Sequence, residues 1–383
     1  MGRDTSSSGF SPPLFPGSIL ALELTDFCNC NCIMCTQSVS RKIHKRGKGF
    51  MSSDLLDSIL KSIADSGARF DKLLPFGLGE SLLHPAFPEL IRRLLDFNSD
   101  RSFFSSIDLH TNATLLNEAA RAALLNNHSV PDTVSFSLDA IKPETYWRIR
   151  RNRQLESAYN NVKSFIDHRE SSGKSLPRCL IQFIVMDENK DEAREFLEYW
   201  SDFFRTRSLK FQVNYDWFPP MESDTIFFKR LNPFHNEEMA DAEELHRSVA
   251  DGLGLINSSQ SDRIISSQEF LDLARPEARR PCAGPFKYLS VSWDGELTVC
   301  CIDTSRELSL GNLKQTELFE LWNGDKNHAF RMAHILGDLA PMPKCLNCHN
   351  LDSPPLSDQE VTTWMRQNGQ AELIGRYLER IGK

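Results

Sequence analysis

The chain of 383 residues contains no run of about 18 apolar residues, so no segment reads as a membrane-spanning helix. Its first residues, MGRDTSSSGFSPPLFP, lack the apolar core of a secretory signal. Excess positive charge is missing too: 44 Lys and Arg stand against 52 Asp and Glu, a formal net charge of −8. That balance, without a basic stripe interleaved with aromatics, argues against a nucleic-acid partner. The basic residues that do cluster, Arg41, Lys42, Lys45, Arg46 and Lys48, read as a solvated loop. No internal repeat or low-complexity tract is visible, and no cysteine follows Cys348.

What is present is cysteine, ten in all, and seven of them fall into two tight groups. Groups of that kind point to metal chemistry in a reduced, cytoplasmic protein rather than to disulfides. The first lies in LELTDFCNCNCIMC, where Cys28, Cys32 and Cys35 are spaced C-x3-C-x2-C. Three thiolates so placed can hold three corners of a cubic iron–sulfur cluster and leave the fourth iron open for chemistry. The extra Cys30 is not needed by the pattern. Zinc is the other reading, but structural zinc takes four ligands and no other Cys or His lies at finger spacing. Supplying Cys30 as the fourth would crowd the thiolates, and all-thiolate short loops suit iron–sulfur clusters better.

From Ser18 to about Trp217, apolar strand-like runs alternate with amphipathic helical ones. Strands are expected at 18–25, 72–78, 106–112, 133–139, 179–185 and 209–215. The clearest helix starts at Ser52 or Ser53 and places Leu55, Leu56, Ile59, Leu60 and Ile63 on one face. Six such units predict a parallel sheet with right-handed crossovers, curled into an open (β/α)6 barrel. Its chemistry should gather at the carboxyl ends of the strands. The expected organisation is a flexible tail over 1–17, the partial barrel over 18–225 and a connector over 226–280. A small α+β cysteine-bearing domain over 281–352 and one C-terminal helix over 353–383 complete it.

The first cysteine loop resembles the signature of the radical SAM (S-adenosylmethionine) superfamily, and further motifs extend the resemblance. PFGLGES at the second strand resembles the family's Gly-Gly-Glu turn, with Gly79 and Glu80 matching and Leu78 replacing the first glycine. HTNAT at the third resembles its Thr-Asn-Gly turn through Asn112, and SFSLDA at the fourth its Ser-Leu-Asp-Gly run through Ser137. The resemblance implies that Gly79 and Glu80 meet the ammonium of SAM and that Ser137 meets its carboxylate, with Asn112 facing the active end. An arginine of TYWRIRRN, Arg150 in preference to Arg148 or Arg151, is expected to pair with that carboxylate, because a guanidinium bonds it bidentately. It further implies that one-electron reduction of SAM on the open iron yields methionine and a 5′-deoxyadenosyl radical, which removes hydrogen from substrate.

Downstream, CAGPFKYLSVSWDGELTVCC opens at Cys282 and is followed by GNL, LW and the pair Cys345 and Cys348. Twelve residues separate Cys282 from Gly295, and four separate Gly295 from Cys300. Asp294-Gly295 reads as a hairpin turn that returns Cys300 to Cys282. A four-cysteine zinc ribbon is the alternative for this segment in isolation. The pattern resembles the SPASM or Twitch auxiliary-cluster extension. One auxiliary cluster ligated by Cys282, Cys300, Cys345 and Cys348 is therefore implied, making two [4Fe-4S] clusters with the SAM-binding one. A closed cluster of that kind transfers electrons.

The resemblance implies an oxidoreductase supplied by an external reductant such as flavodoxin or ferredoxin. Peptide-modifying relatives carry a leader-binding module of roughly 80–90 residues before the barrel, whereas about 18 precede it here. A small polar substrate is therefore expected, a sugar, aminocyclitol or aminoglycoside, undergoing dehydrogenation or epimerisation. Modification of a peptide or protein side chain is the alternative, and an electron carrier without catalysis is the reading from another class. Epimerisation needs a hydrogen donor, for which Cys301 beside Cys300 is the candidate. Cys179 opens the fifth strand at the wrong end of the barrel and reads as core. Asp216 and Glu222, just after the sixth strand, are candidates to meet a cationic substrate, although loop carboxylates are usually only solvated.

Overall fold

The computed structural model describes residues 14–38, 47–215, 221–256, 279–346, 348 and 355–383. Ten strands form one sheet: β1 (Ile19–Leu22), β2 (Phe70–Leu74), β3 (Phe104–Thr111), β4 (Thr133–Ser137), β5 (Arg178–Val185), β6 (Phe211–Asn214), β7 (Asp224–Arg230), β8 (Tyr288–Val291), β9 (Glu296–Thr298) and β10 (Ser309–Asn312). Their order is β10-β9-β8-β1-β2-β3-β4-β5-β7-β6. Every pairing from β8 to β6 is parallel, and β9 and β10 are antiparallel. Crossover helices explain the parallel strands, as the alternating pattern predicted. Ser52 caps the helix Ser53–Ser66 by accepting from the Leu55 N–H, and the five apolar residues expected on its inner face are buried. Among the described residues no helix is long and apolar enough to cross a membrane.

Several expected boundaries move. β7 lies between β5 and β6 and crosses the limit drawn at 225, so the sheet continues into the segment read as a connector. Its run TIFF is β-branched and aromatic, but the prolines around it masked a strand signal. Asp224 at its amino end holds it in place. It takes two 2.7 Å bonds from the Arg169 guanidinium and one of 2.8 Å from the Cys179 N–H. Cys179 is fully buried there, at the amino end of β5.

At the start of the described chain, Leu14–Gly17 is anchored rather than free. Phe15 meets Phe286 edge-on at 5.7 Å, and the Gly17 N–H donates to Asp71 at 2.7 Å. The expected C-terminal helix is two, Asp358–Gln367 and Ile374–Arg380, parted at Gly369, whose φ of +71° favours glycine. The auxiliary hairpin is fused to the barrel, with β8 continuing the sheet beside β1 from Ile19↔Tyr288 to Leu22↔Val291.

Beneath the C-terminal helices lies His334, buried and with no partner for its Nε2 among the described residues. Burial, with the Arg279 and Arg380 charges, pushes it down to about 4. The unfolded chain therefore takes up a proton near pH 6.5 that the folded chain refuses until about 4. Stability falls as pH drops through that window, with a slope reaching about 1.4 kcal/mol per pH unit. Urea unfolding between pH 7 and 4 should show this slope, and His334→Phe should flatten it.

Candidate active site

The chain leaves β1 and passes through Glu23–Phe27 into the loop holding Cys28, Cys30, Cys32 and Cys35, at the carboxyl end of the parallel strands. All four thiols are free. Cys30 lies between Cys28 and Cys32, within hydrogen-bond reach of both sulfurs, and its one S–H serves either of them. That contact draws both thiols below the ordinary range, Cys32 to about 6, where the Arg150 guanidinium also contributes from 3.6 Å. Burial pushes Cys35 up. Three spaced thiols in one short loop, two of them inclined to ionise, are donors whose chemistry suits thiolate ligation of iron.

Three bonds clamp this loop to the end of the helix Pro143–Arg150. Asn31 and Ile33 donate their N–H groups to the carbonyls of Arg150 and Ile149 at 3.1 and 2.9 Å, and Asn152 donates to the Asn29 carbonyl at 3.1 Å. Arg150, expected beside a ligand carboxylate, is instead buried against Asp139, to which it donates, and against the Cys32 sulfur. Its position in the helix leaves the guanidinium under the loop, so Arg150 sets the field at Cys32. Ser137, at the end of β4, is half-buried and accepts from Gln182 at 3.2 Å.

The turns after β2 and β3 pack directly on the loop. A Cβ on Gly79 would stand 2.0 Å from the Thr25 carbonyl oxygen, so only glycine permits the contact, and the Glu80 N–H donates to the Phe27 carbonyl at 2.8 Å. Glu80 is buried with both carboxylate oxygens engaged. Thr111 donates to one at 2.8 Å and the Asn112 N–H to the other at 2.8 Å. Burial raises its carboxyl, and those donors pull the other way. Glu80 thus braces one turn against the next. Asn112 extends the brace, donating from Nδ2 to Asn29 at 2.8 Å, while Asn29 donates to Thr114 at 2.7 Å.

Asn29, Asp139 and Asn152 were missed as site residues. Asparagine within a tight loop is the available signal for two of them, and Asp139 lies within the SFSLDA run. Glu23 was missed as well, and it accepts from the Leu78 N–H at 3.1 Å beneath the glycine turn.

The second thiol set assembles at the other end of β1. Cys282 precedes the one-turn helix Gly284–Lys287 that leads into β8, and the Gly284 N–H approaches its sulfur at 3.3 Å. β9 pairs Thr298 with Ser290, which returns Cys300 and Cys301 to the amino end of β8. Cys345 and Cys348 join them, the Cys348 N–H donating to the Cys345 carbonyl at 3.3 Å, with Arg279 on the same carbonyl at 2.6 Å. Each of Cys282 and Cys345 feels the charge of Cys300 and Cys348, and burial pushes Cys282 up to about 12. Cys301 belongs to this group, with Cys300, Cys282 and Cys348 as its charged neighbours. The hydrogen-donor role expected of Cys301 required a place at the mouth; the hairpin register instead carries it to the opposite end of the sheet.

Residues 22–199 match the model of the radical SAM superfamily, and residues 282–349 match the SPASM iron–sulfur cluster-binding domain. The chain carries a radical SAM domain followed by a SPASM domain. This radical SAM protein binds S-adenosylmethionine and a [4Fe-4S] cluster in its barrel and an auxiliary cluster in its SPASM domain. It is 23% identical over 354 residues to a tungsten-containing aldehyde ferredoxin oxidoreductase cofactor-modifying protein of Pyrococcus furiosus, covering 87% of this chain and 88% of that one. It is 29% identical over 178 residues to a probable GTP 3′,8-cyclase of Methanococcus maripaludis, covering 46% and 53%. Among solved structures, SuiB of Streptococcus suis bound to S-adenosylmethionine has a TM-score of 0.52 at 14% identity, covering 83% and 68%. Native anSMEcpe with bound AdoMet has a TM-score of 0.50 at 14% identity, covering 94% and 96%. These likenesses are of fold.

Beside the first loop of this radical SAM protein opens a cavity of about 370 Å³, lined by Ile33 and Met34 and by the segments that follow β5 and β7. Asp187, Glu188, Glu238 and Asp241 give it an acidic rim. Glu222 is exposed after β6, and Asp216 lies outside the described residues, as do Arg41, Lys42, Lys45 and Arg46.

Proposed function

We propose that this radical SAM enzyme dehydrogenates a small, polar, amine-bearing substrate held at the carboxyl end of the barrel. The observation that carries the reading is the seating of Cys28, Cys32 and Cys35 in one loop against the turns of Gly79 and Asn112, with a cavity alongside. In this reading those three thiolates hold the SAM-binding cluster, and Cys282, Cys300, Cys345 and Cys348 hold the auxiliary one. Bound SAM on a reduced cluster supplies hydrogen-atom abstraction. The chain's own residues fix the reactants: Gly79 lets the turn approach the loop, Ser137 offers a hydroxyl at the mouth, and the acidic rim favours an amine. An external one-electron reductant, a flavodoxin or ferredoxin, primes the reaction.

Dehydrogenation is preferred to epimerisation because Cys179 and Cys301 both lie at the amino end of the sheet, while Cys30 is buried between the sulfurs of its neighbours. A small substrate is preferred to a peptide. Support comes from the Pyrococcus relative, which spans most of this chain and whose name describes modification of a cofactor.

Anaerobically reconstituted protein with dithionite and SAM should release 5′-deoxyadenosine. A carbon-deuterated aminocyclitol substrate should pass deuterium into it, with one carbonyl product per SAM consumed. Zinc in place of inorganic sulfide, or no 5′-deoxyadenosine, would overturn the reading. Incorporation of solvent deuterium at the substrate carbon would turn it to epimerisation. Replacing Cys345 by alanine should lower bound iron by about half, because one of two four-iron cages is lost, while SAM cleavage uncoupled from product persists. Iron and 5′-deoxyadenosine assays on the same preparation check this.

A further inference from the structure

We propose that the cleft between Phe15, Trp322 and Trp364, at the amino end of β1 and β8, is a second ligand site that takes a small aromatic carboxylate on Arg331. It lies apart from the radical loop, which follows the opposite end of β1, and nothing in the reaction above uses it. Its volume is about 490 Å³, within the range of small-molecule sites.

Arg331 is the reason to expect an anion. Only 5% of it is exposed, and no carboxylate pairs with it among the described residues. Its Nε donates to the Pro285 carbonyl at 2.8 Å, and Arg331 is among the residues that line the cleft. Aromatic faces surround it: Trp322 at 4.9 Å, and Phe286 and Trp364 each at 5.8 Å. Burial without a counter-charge pushes Arg331 down to about 10. A desolvated cation is costly unless an anion completes it, and the aromatic faces offset only part of that cost.

The lining narrows the ligand. Arg331 is the one Arg or Lys among the described residues that line the cleft, so the site matches a single negative charge rather than a phosphate dianion. A guanidinium presents a planar fork suited to carboxylate. Glu360 also lines the cleft, but its carboxylate is held by Lys287 at 2.5 Å and by Ser357 at 2.7 Å. Two indoles and His328, which lies 5.2 Å from the Trp364 ring, offer flat walls for a ring.

The test is calorimetric titration of the cluster-loaded full chain with phenylacetate, with phenylacetamide as its neutral counterpart. Phenylacetate should bind saturably at one site, about tenfold or more tightly than the amide, as a charge-assisted pair on a buried guanidinium requires. Arg331→Gln should abolish that preference. Thr363→Trp, an exposed rim position whose new ring fills the cleft, should abolish binding of both while SAM cleavage continues unchanged. Equal binding of acid and amide, no saturable heat with phenylacetate, or an undiminished preference in Arg331→Gln would each overturn the proposal. Should Arg331→Gln not fold, retained phenylacetate binding by Thr363→Trp overturns it as well.

Discussion

Cys32→Ala is expected to reduce 5′-deoxyadenosine formation to background while leaving the auxiliary iron in place. Three thiolates are the fewest that hold a cubic cluster with one open iron, so the loop has no spare ligand in that role. Cys32 is also a thiol that its surroundings favour as the thiolate. Cys30 lies within hydrogen-bond reach of it, the Arg150 guanidinium stands 3.6 Å away, and together they bring it to about 6. Cys30→Ala is the internal control: it removes a buried thiol outside the ligand pattern and should retain the cluster and measurable SAM cleavage. Iron and sulfide content with electron paramagnetic resonance of the reduced protein separates the two variants. A Cys32→Ala protein that still makes 5′-deoxyadenosine while Cys30→Ala does not would assign the third ligand to Cys30.

The second large effect is on stability. Arg150→Ala should destabilise the protein by about 3–5 kcal/mol, the range for removing one partner of a buried ion pair. Asp139 is fully buried and would be left as an uncompensated charge, with the Ile184 N–H at 2.8 Å as its one remaining donor among the described residues. The same change releases the cysteine loop from the field of its neighbouring cation. Pairing Arg150→Gln with Asp139→Asn should recover most of the loss, because asparagine tolerates the φ of +60° at that position and no bare charge remains. Denaturant unfolding of the single and double variants measures the recovery. A loss in Arg150→Ala below about 1 kcal/mol would show that water reaches Asp139.

Much of the barrel was readable because parallel strands buried on both faces leave continuous apolar runs, and crossover helices leave one apolar face. The helix Ser53–Ser66 shows both signals together, a serine cap and five apolar residues on one stripe. β7 escaped because a strand inserted between earlier ones has no sequence mark of its partner, and prolines on either side favoured a connector. The cysteine spacing located the loop, since ligand geometry is a local property. Orientation is not local, and two expected site residues lie elsewhere than the sequence suggested. Arg150 looked free for a ligand, yet a helix of eight residues points it at Asp139. Cys301 looked close to the chemistry because it adjoins Cys300, but hairpin register carries both to the far end of β1. Glu80 is intermediate: its motif was visible, while its engagement by Thr111 and Asn112 depends on how two turns meet.

The pairing of β1 with β8 has a consequence for how the protein is made. β1 emerges from the ribosome more than 250 residues before the strand that covers one of its sides, Tyr288–Val291. Until then a central strand keeps a bare row of amide and carbonyl groups, the feature that invites pairing with a foreign chain. Synthesis that stops short of Tyr288 leaves that seam open for good, and the mature barrel closes only after the hairpin has arrived.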